Sequence, residues 1–327
     1  MKTRFALQLG AVAAALATTL PAWAQSESAA NYPSRPIRII VPYTPGAIND
    51  VLARRIAQQL SEALKQSVVV ENKPGGGPVI GTEYVARAEP DGYTLLQTAA
   101  SHSINPSLVA KLPYDSIKSF SFISLVGTSA YVMTATPSLP ANTVPELIAL
   151  AKSQPGRISY ASTGNGGSAH LMGELLKDMA QVDLMHIPYK GLAQGLNDVA
   201  SGQVQLTFST YTGAMAYLQP GRVKAIAVTG KQRMSVLPNV PTIAETLPGY
   251  DVSGWWGYVA PAGTPKPIVD KLNRELNKIV QSPEFKEHFK SQGVEMLGTT
   301  PEEFRTHVER EMETWRKLIK KANITMG

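Results

Sequence analysis

Two hydrophobic periods alternate along this chain, and that alternation limits its fold more than any other feature. Short β-rich apolar runs end at Gly/Pro turns, and each turn opens a stretch whose apolar residues recur every three or four positions. Ile37–Val41 reads as a buried strand. Pro42-Tyr43-Thr44-Pro45-Gly46 ends it. A helix from about Asn49 to Leu64 follows, with Leu52, Ile56, Leu60 and Leu64 on one face. Val68-Val69-Val70 is a strand, then come a glycine-rich loop from Pro74 to Pro78, a helix through Tyr84-Val85-Ala86 and a strand at Thr94-Leu95-Leu96. This order predicts an α/β fold with a largely parallel sheet covered by helices on both faces.

The pattern continues toward the C-terminus. Thr143 with Glu146 predicts a capping box that opens a helix to Lys152. Ile158-Ser159-Tyr160 is a strand that enters the loop Gly164–Ser168, and a helix follows. Val204–Phe208 and Val223–Val228 read as further strands. Thr264-Pro265 predicts a cap with Pro at the first helical position, ahead of a stripe of Ile268, Leu272, Leu276 and Ile279. Thr300-Pro301 with Glu303 repeats the cap. The last helix turns Phe304, Val308, Met312, Trp315 and Ile319 inward.

Composition removes several function classes. The chain has 327 residues, which favours two lobes over one small domain. It has no cysteine, so disulfides, thiolate zinc sites, iron–sulfur clusters and cysteine nucleophiles are excluded. Net charge is +6, with no basic run or stripe, so nucleic acid is not an expected partner. The five histidines, at 102, 170, 186, 288 and 307, lack metal-type spacing. There is no Gly-x-Ser-x-Gly elbow, and the stretch Gly75–Thr82 lacks the Lys of a phosphate-binding loop. No metal, cofactor or catalysis is expected. Lys2 and Arg4, the apolar stretch Phe5–Leu20 and Ala22-Trp23-Ala24 predict a signal peptide over residues 1–24, cut after Ala24, and Sec export to the periplasm.

Two turns are the candidate ligand sites. Pro42–Asn49 joins a strand to a helix N-terminus, where unpaired N–H groups and the helix dipole favour a carboxylate. Tyr43, Pro45, Gly46 and Ala47 belong to it, and Asp50 is expected chiefly to serve the helix start. The loop with Thr163, Gly164, Gly166 and Ser168 has the same character, with His170 in the helix's first turn. This loop also approximates a nucleotide fingerprint, Gly164-x-Gly166-x-x-Ala169, with Asp183 as the ribose acid; the rival reading is an exported dinucleotide-binding enzyme. Ser101 and His102 follow a strand end and could form a cleft rim. One ring of Trp255, Trp256 and Tyr258 is expected to face a ligand, and Trp255 is the candidate.

Eight further segments carry a resemblance: Tyr32-Pro-Ser-Arg-Pro-Ile, Val41-Pro-Tyr-Thr-Pro-Gly46, Val70-Glu-Asn-Lys-Pro-Gly-Gly-Gly77, Pro90-Asp-Gly-Tyr-Thr94, Ser162-Thr-Gly-Asn-Gly-Gly-Ser168, His186-Ile-Pro-Tyr-Lys-Gly191, Leu237-Pro-Asn-Val-Pro-Thr242 and Ala260-Pro-Ala-Gly-Thr-Pro265. In this order, the chain from Tyr32 onward resembles the Bug/TctC-type extracytoplasmic solute receptors of tripartite tricarboxylate transport systems. The resemblance implies a two-lobed, periplasmic-binding-protein-like α/β fold. Two crossing strands join the lobes, each a sheet flanked by helices, with the ligand in the cleft between them. Residues 25–125 plus 261–327 would form lobe 1 and residues 126–260 lobe 2. The expected ligand is a small organic acid. The expected partner is an inner-membrane transporter permease, or a sensor kinase if the fold serves signalling, and the receptor is expected to be a monomer. Thr128 and Tyr189 complete the candidate ligand-binding set. Two departures stand out. Gly46-Ala47 replaces the family's usual Gly-Gly, and Ser209 stands where members often carry an acid facing the cleft. Without that acid, the implied ligand lacks an ammonium group.

Overall fold

A computed structural model describes residues 31–76 and 78–325; the expected leader, residues 1–24, lies outside them. The chain runs β1 (Ile37–Val41), α1 (Ile48–Leu64), β2 (Val68–Asn72), α2 (Val79–Ala86), β3 (Thr94–Ala99), α3 (Ser101–Leu108), β4 (Phe120–Ala135), α4 (Val144–Ser153), β5 (Ser159–Ser162), α5 (Ser168–Ala180) and β6 (Met185–Pro188). It continues α6 (Leu192–Ser201), β7 (Leu206–Thr210), α7 (Tyr211–Leu218), β8 (Lys224–Val228), β9 (Ser253–Pro261), α8 (Lys266–Gln281), α9 (Pro283–Lys290), β10 (Glu295–Met296) and α10 (Pro301–Lys321).

The strands hydrogen-bond in the order β2-β1-β3-β9-β4-β7-β5-β6, with β8 and β10 also on β4. The pairs β1–β2, β1–β3, β5–β6 and β5–β7 are parallel. The pairings of β9 with β3 and of β4 with β9, β7, β8 and β10 are antiparallel. The sheet is therefore mixed rather than largely parallel. Helical crossovers keep strands parallel within each half, whereas a chain that leaves one half and returns runs the opposite way.

One long strand makes the first crossing. Phe120–Ala130 of β4 pairs with β9, and Tyr131–Ala135 pairs with β7. The return falls between Val252, whose N–H donates to Thr229 O, and Ser253, which pairs with Ala130. Thr229 ties the two crossings together. Its fully buried hydroxyl accepts the Tyr131 N–H at 2.8 Å and donates to Val252 O at 2.6 Å.

The apolar stripes do what their periods require. Leu52, Ile56 and Leu60 are fully buried with Ile37, Ile39, Leu272, Leu276 and Phe289 in the core of the first half. Met133, Tyr160, Leu171, Leu206, Phe208 and Tyr250 build the second. Helix α10 serves both: Phe304 and Val308 pack with Phe122 and Trp255, while Trp315, Leu318 and Ile319 enter the core of the second half. Its 21 residues span about 30 Å, enough to bridge them.

The caps form in part. Thr300 and Glu303 make both bonds of a capping box. Thr143 accepts the Glu146 N–H, but the Glu146 carboxylate takes the N–H of Asn142 at 2.6 Å, so half of that box forms. Thr264 does not cap α8. Its hydroxyl donates to Pro261 O at 2.8 Å, closing the turn after β9, and Pro265 holds the N-cap position.

Candidate functional site

Helices α1, α3 and α5 each begin just past the C-terminal end of a parallel strand, the edge where open α/β sheets present ligand sites. In the loop before α1, Gly46 has φ +88°, and a Cβ there would meet nothing within 4 Å. Asp50 is buried beneath this loop. Its carboxylate accepts from Arg54 Nε at 3.0 Å, Asn72 Nδ2 at 2.9 Å and the Gly46 N–H at 3.1 Å. The Arg54 bond leads the effects that hold it below the usual carboxylate range. Asp50 is thus spent on shaping the loop, as its place at the helix start suggests, and it takes the Gly46 amide out of play. The amides of Ala47, Ile48 and Asn49 have no partner among the described residues. Beside them, Tyr43 Oη lies 2.7 Å from Ser101 Oγ, and burial pushes the phenol pKa up, keeping it neutral.

The loop before α5 mirrors this arrangement. Gly164 and Gly166 have φ +116° and +73°, and a Cβ on Gly164 would also meet open space. The Gly164 N–H donates to Ser162 Oγ at 3.1 Å, and the Gly166 N–H donates to His170 Nδ1 at 3.0 Å. The amides of Asn165, Ser168 and Ala169 have no partner among the described residues. Thr163 is exposed at the rim.

Between the halves, Ala100, Tyr131, Ser168 and Ser253 line a narrow cavity with Ile104, Leu171, Val252 and Trp315. Tyr131 enters from the crossing of β4. Its hydroxyl meets the Ser168 side chain, and it lies close enough to Tyr43 to disfavour ionisation there. None of the residues lining this cavity carries a charge. It offers neutral hydroxyls, and helix N-terminal amides open beside it, a donor set suited to an anion. Roomier surface grooves, such as the one lined by Pro106, Ile117, Met312 and Ile319, lie away from this strand edge.

The structure brings Tyr43 and Ser101, at the loop that carries Pro45, Gly46 and Ala47, near Tyr131 and Ser168, at the loop that carries Thr163, Gly164 and Gly166. Other candidates point elsewhere. His102 is buried, its Nε2 2.8 Å from Ser116 O, with its ring between Tyr114 and Phe120; burial pushes its pKa down to about 4. His170 clamps the second loop from behind. Tyr189 donates its hydroxyl to Asp198 at 2.7 Å. Thr128 sits mid-strand, opposite Glu295 and Trp255. Ser209 is buried, with no hydroxyl partner among the described residues. Trp255 donates its indole N–H to Glu311 and packs on Phe304. Strand alternation sends its neighbour Trp256 to the other face, where its indole N–H reaches Asn49 Oδ1 at the start of α1. Tyr131 and Ser253 line the cavity, and no sequence signal singled them out. The period of two along β9 already placed Trp255 and Trp256 on opposite faces.

Residues 52–324 match the family described as tripartite tricarboxylate transporter family receptor, TctC. The chain belongs to this family. Three solved structures are similar to this TctC receptor. The periplasmic binding protein BugD is 39% identical, covers 90% of this chain and 100% of its own, and has a TM-score of 0.71. Rpa4515 of R. palustris, solved with adipate, is 34% identical with the same coverages and a TM-score of 0.74. MatC of Rhodopseudomonas palustris, solved with bound malate, is 28% identical, covers 88% of this chain and 100% of its own, and has a TM-score of 0.70. The fold is the two-lobed α/β arrangement of periplasmic binding proteins. The dinucleotide reading fails on geometry: Asp183 precedes β6, at the strand edge opposite the glycine loop that follows β5, so it cannot reach a ribose held by that loop.

Proposed function

We propose that this TctC receptor closes on one small organic acid in the periplasm and delivers it to an inner-membrane transporter. The observation that carries this reading is the pairing of two loops whose helix N-terminal amides are free, beside a narrow cavity in which the Tyr131, Ser168 and Ser253 hydroxyls sit among apolar side chains with no charged one. Pro45, Gly46, Ala47 and Tyr43 contact the acid from lobe 1 with Ser101; Thr163, Gly164, Gly166 and Ser168 contact it from lobe 2, with Tyr131 between them. Adipate and malate in the two R. palustris proteins are both dicarboxylates, which supports an acid of that class. Ser209 provides no charge for an ammonium group, and burying an unpaired ammonium costs several kcal/mol, roughly, whereas backbone donors satisfy a carboxylate. We take the lobes to divide at the crossings Ala130/Tyr131 and Val252/Ser253, and the export signal to be cut after Ala24.

A melting-temperature panel tests this by pairing adipate with 2-aminoadipate and succinate with aspartate. The acid of each pair is expected to stabilise more, by about 2.7 kcal/mol when present at roughly a hundred times its Kd. It should be recovered unchanged. Consistent preference for the amino acids, or steady product formation, defeats the proposal.

A further inference from the structure

Behind the second loop, side chains from β5, α5 and β6 meet in one cluster. The rings of His170 and His186 stack at 3.9 Å between centroids and 7° between planes. Ser162 Oγ lies 2.6 Å from His186 Nε2 and accepts the Gly164 N–H. His170 Nδ1 accepts the Gly166 N–H. A serine this close to an imidazole invites a nucleophile reading. Ser162 is only 3% exposed, however, and its oxygen is enclosed by His186 and the Gly164 backbone, so no substrate carbonyl can approach it. The cluster serves the loop instead.

We propose that His170 and His186 are positioning residues: as a stacked neutral pair they turn the Gly164 and Gly166 amides inward, which leaves those of Asn165, Ser168 and Ala169 directed at the ligand. The ligand part of this proposal rests on the acid-binding reading above; the loop part does not. Nδ1 of His170 accepts an N–H only while unprotonated, so the ring carries its proton on Nε2. Protonating Nδ1 sets one N–H against another and places a cation face to face with the second imidazole.

The ionisable surroundings favour the neutral pair. Glu174, on the same helix, lies 4.0 Å from His170 Nε2, but Lys177 at 2.9 Å and the Tyr160 hydroxyl at 2.8 Å already engage its carboxylate. Lys177 opposes a further positive charge. Burial is the largest influence on both histidines; it lowers the pKa of His170 and pushes that of His186 down to about 4. The loop is therefore set at neutral pH and released in acid.

The test uses the ligand-free ¹⁵N-labelled protein first. The Gly166 amide is followed while pH falls from about 8 to about 4, and its shift is expected to move with the His170 ring at a midpoint below the ordinary value of about 6.5. Adipate binding is then measured by calorimetry. His170→Leu removes the acceptor and is expected to weaken binding about tenfold or more. In His170→Asn, Oδ1 takes the place of Nδ1 as an acceptor that does not titrate. It is expected to restore binding to within about threefold and to flatten the pH dependence of the Gly166 amide. A Gly166 amide that ignores the His170 titration overturns the proposal, as does a folded His170→Leu protein that binds like the wild type. If the wild type binds no acid while Gly166 follows His170, the acid-binding reading fails and the loop-positioning role stands.

Discussion

Replacing Glu311 with Gln is expected to stabilise this protein at and above neutral pH and to remove a pH dependence. Glu311 sits on α10 with its side chain 13% exposed. Ser103 Oγ–H and the Trp255 indole N–H both donate to its Oε2, each at 2.7 Å, while Oε1 lies 3.8 Å from His307 Nε2. Burial dominates these hydrogen bonds and pushes the carboxyl from an ordinary 4.5 up to about 7. A folded-state pKa above the unfolded one means that the folded protein binds more protons between those values. Stability is then full below 4.5 and falls as pH rises through about 7. At about 1.4 kcal/mol per pH unit, the loss is about 3 kcal/mol. Gln offers one oxygen to both donors and a neutral amide in place of the protonated oxygen, so it keeps the bonds without the titration. Urea unfolding at several values between about pH 4 and about pH 8 should bring the two stabilities together at the acid end and open a gap of about 3 kcal/mol in favour of Gln at the alkaline end. His102 and His307, both pushed down to about 4 by burial, act in the opposite direction, costing stability as pH falls from 6.5 toward 4. His102, bonded to Ser116 O and away from Glu311, cancels in the difference; His307 touches the substituted group, so its own titration is followed by NMR in both proteins. Parallel pH curves, or a Gln protein less stable at about pH 8, would refute the argument that burial sets this carboxyl.

Gly46→Ala and Gly164→Ala place a Cβ in open space, so their cost is the positive φ alone, about 1–2 kcal/mol each, concentrated in the loops. Calorimetry with adipate should show about tenfold weaker binding for each; unchanged binding in both would mean that these loops do not cradle the acid. Gly173→Ala drives a methyl into the Tyr160 ring and should lower stability by about 1–3 kcal/mol in urea, an outcome excluded if the melting curve does not move.

The local elements were legible because their physics is local. The stripe of Leu52, Ile56 and Leu60, the stripe of Ile268, Leu272 and Leu276, and the Thr300–Glu303 capping box each depend on residues three or four apart. The two glycine loops were legible for the same reason: a glycine turn between a strand and a helix exposes amides whatever surrounds it. Tertiary structure decided where those amides went. Asp50 claims the Gly46 amide because β2 brings Asn72 beside it and α1 brings Arg54. Asn142 took half of the predicted box at Glu146. Of two adjacent tryptophans, pairing of β9 with β3 and β4 sent Trp255 to Glu311 and Trp256 to Asn49. Tyr131 carried no local signal; its role follows from the bond its N–H gives to the Thr229 hydroxyl, 98 positions away, where β4 turns from pairing with β9 to pairing with β7. The sequence by itself determined the amphipathic stripes, the short buried strands beside them and the glycine turns that present donors, while the long strand β4 and the helices α3, α6, α7 and α9 were not legible in it. Only the packed chain decided which hydroxyls share the cavity, because that depends on strand pairings between residues far apart, which no local period encodes.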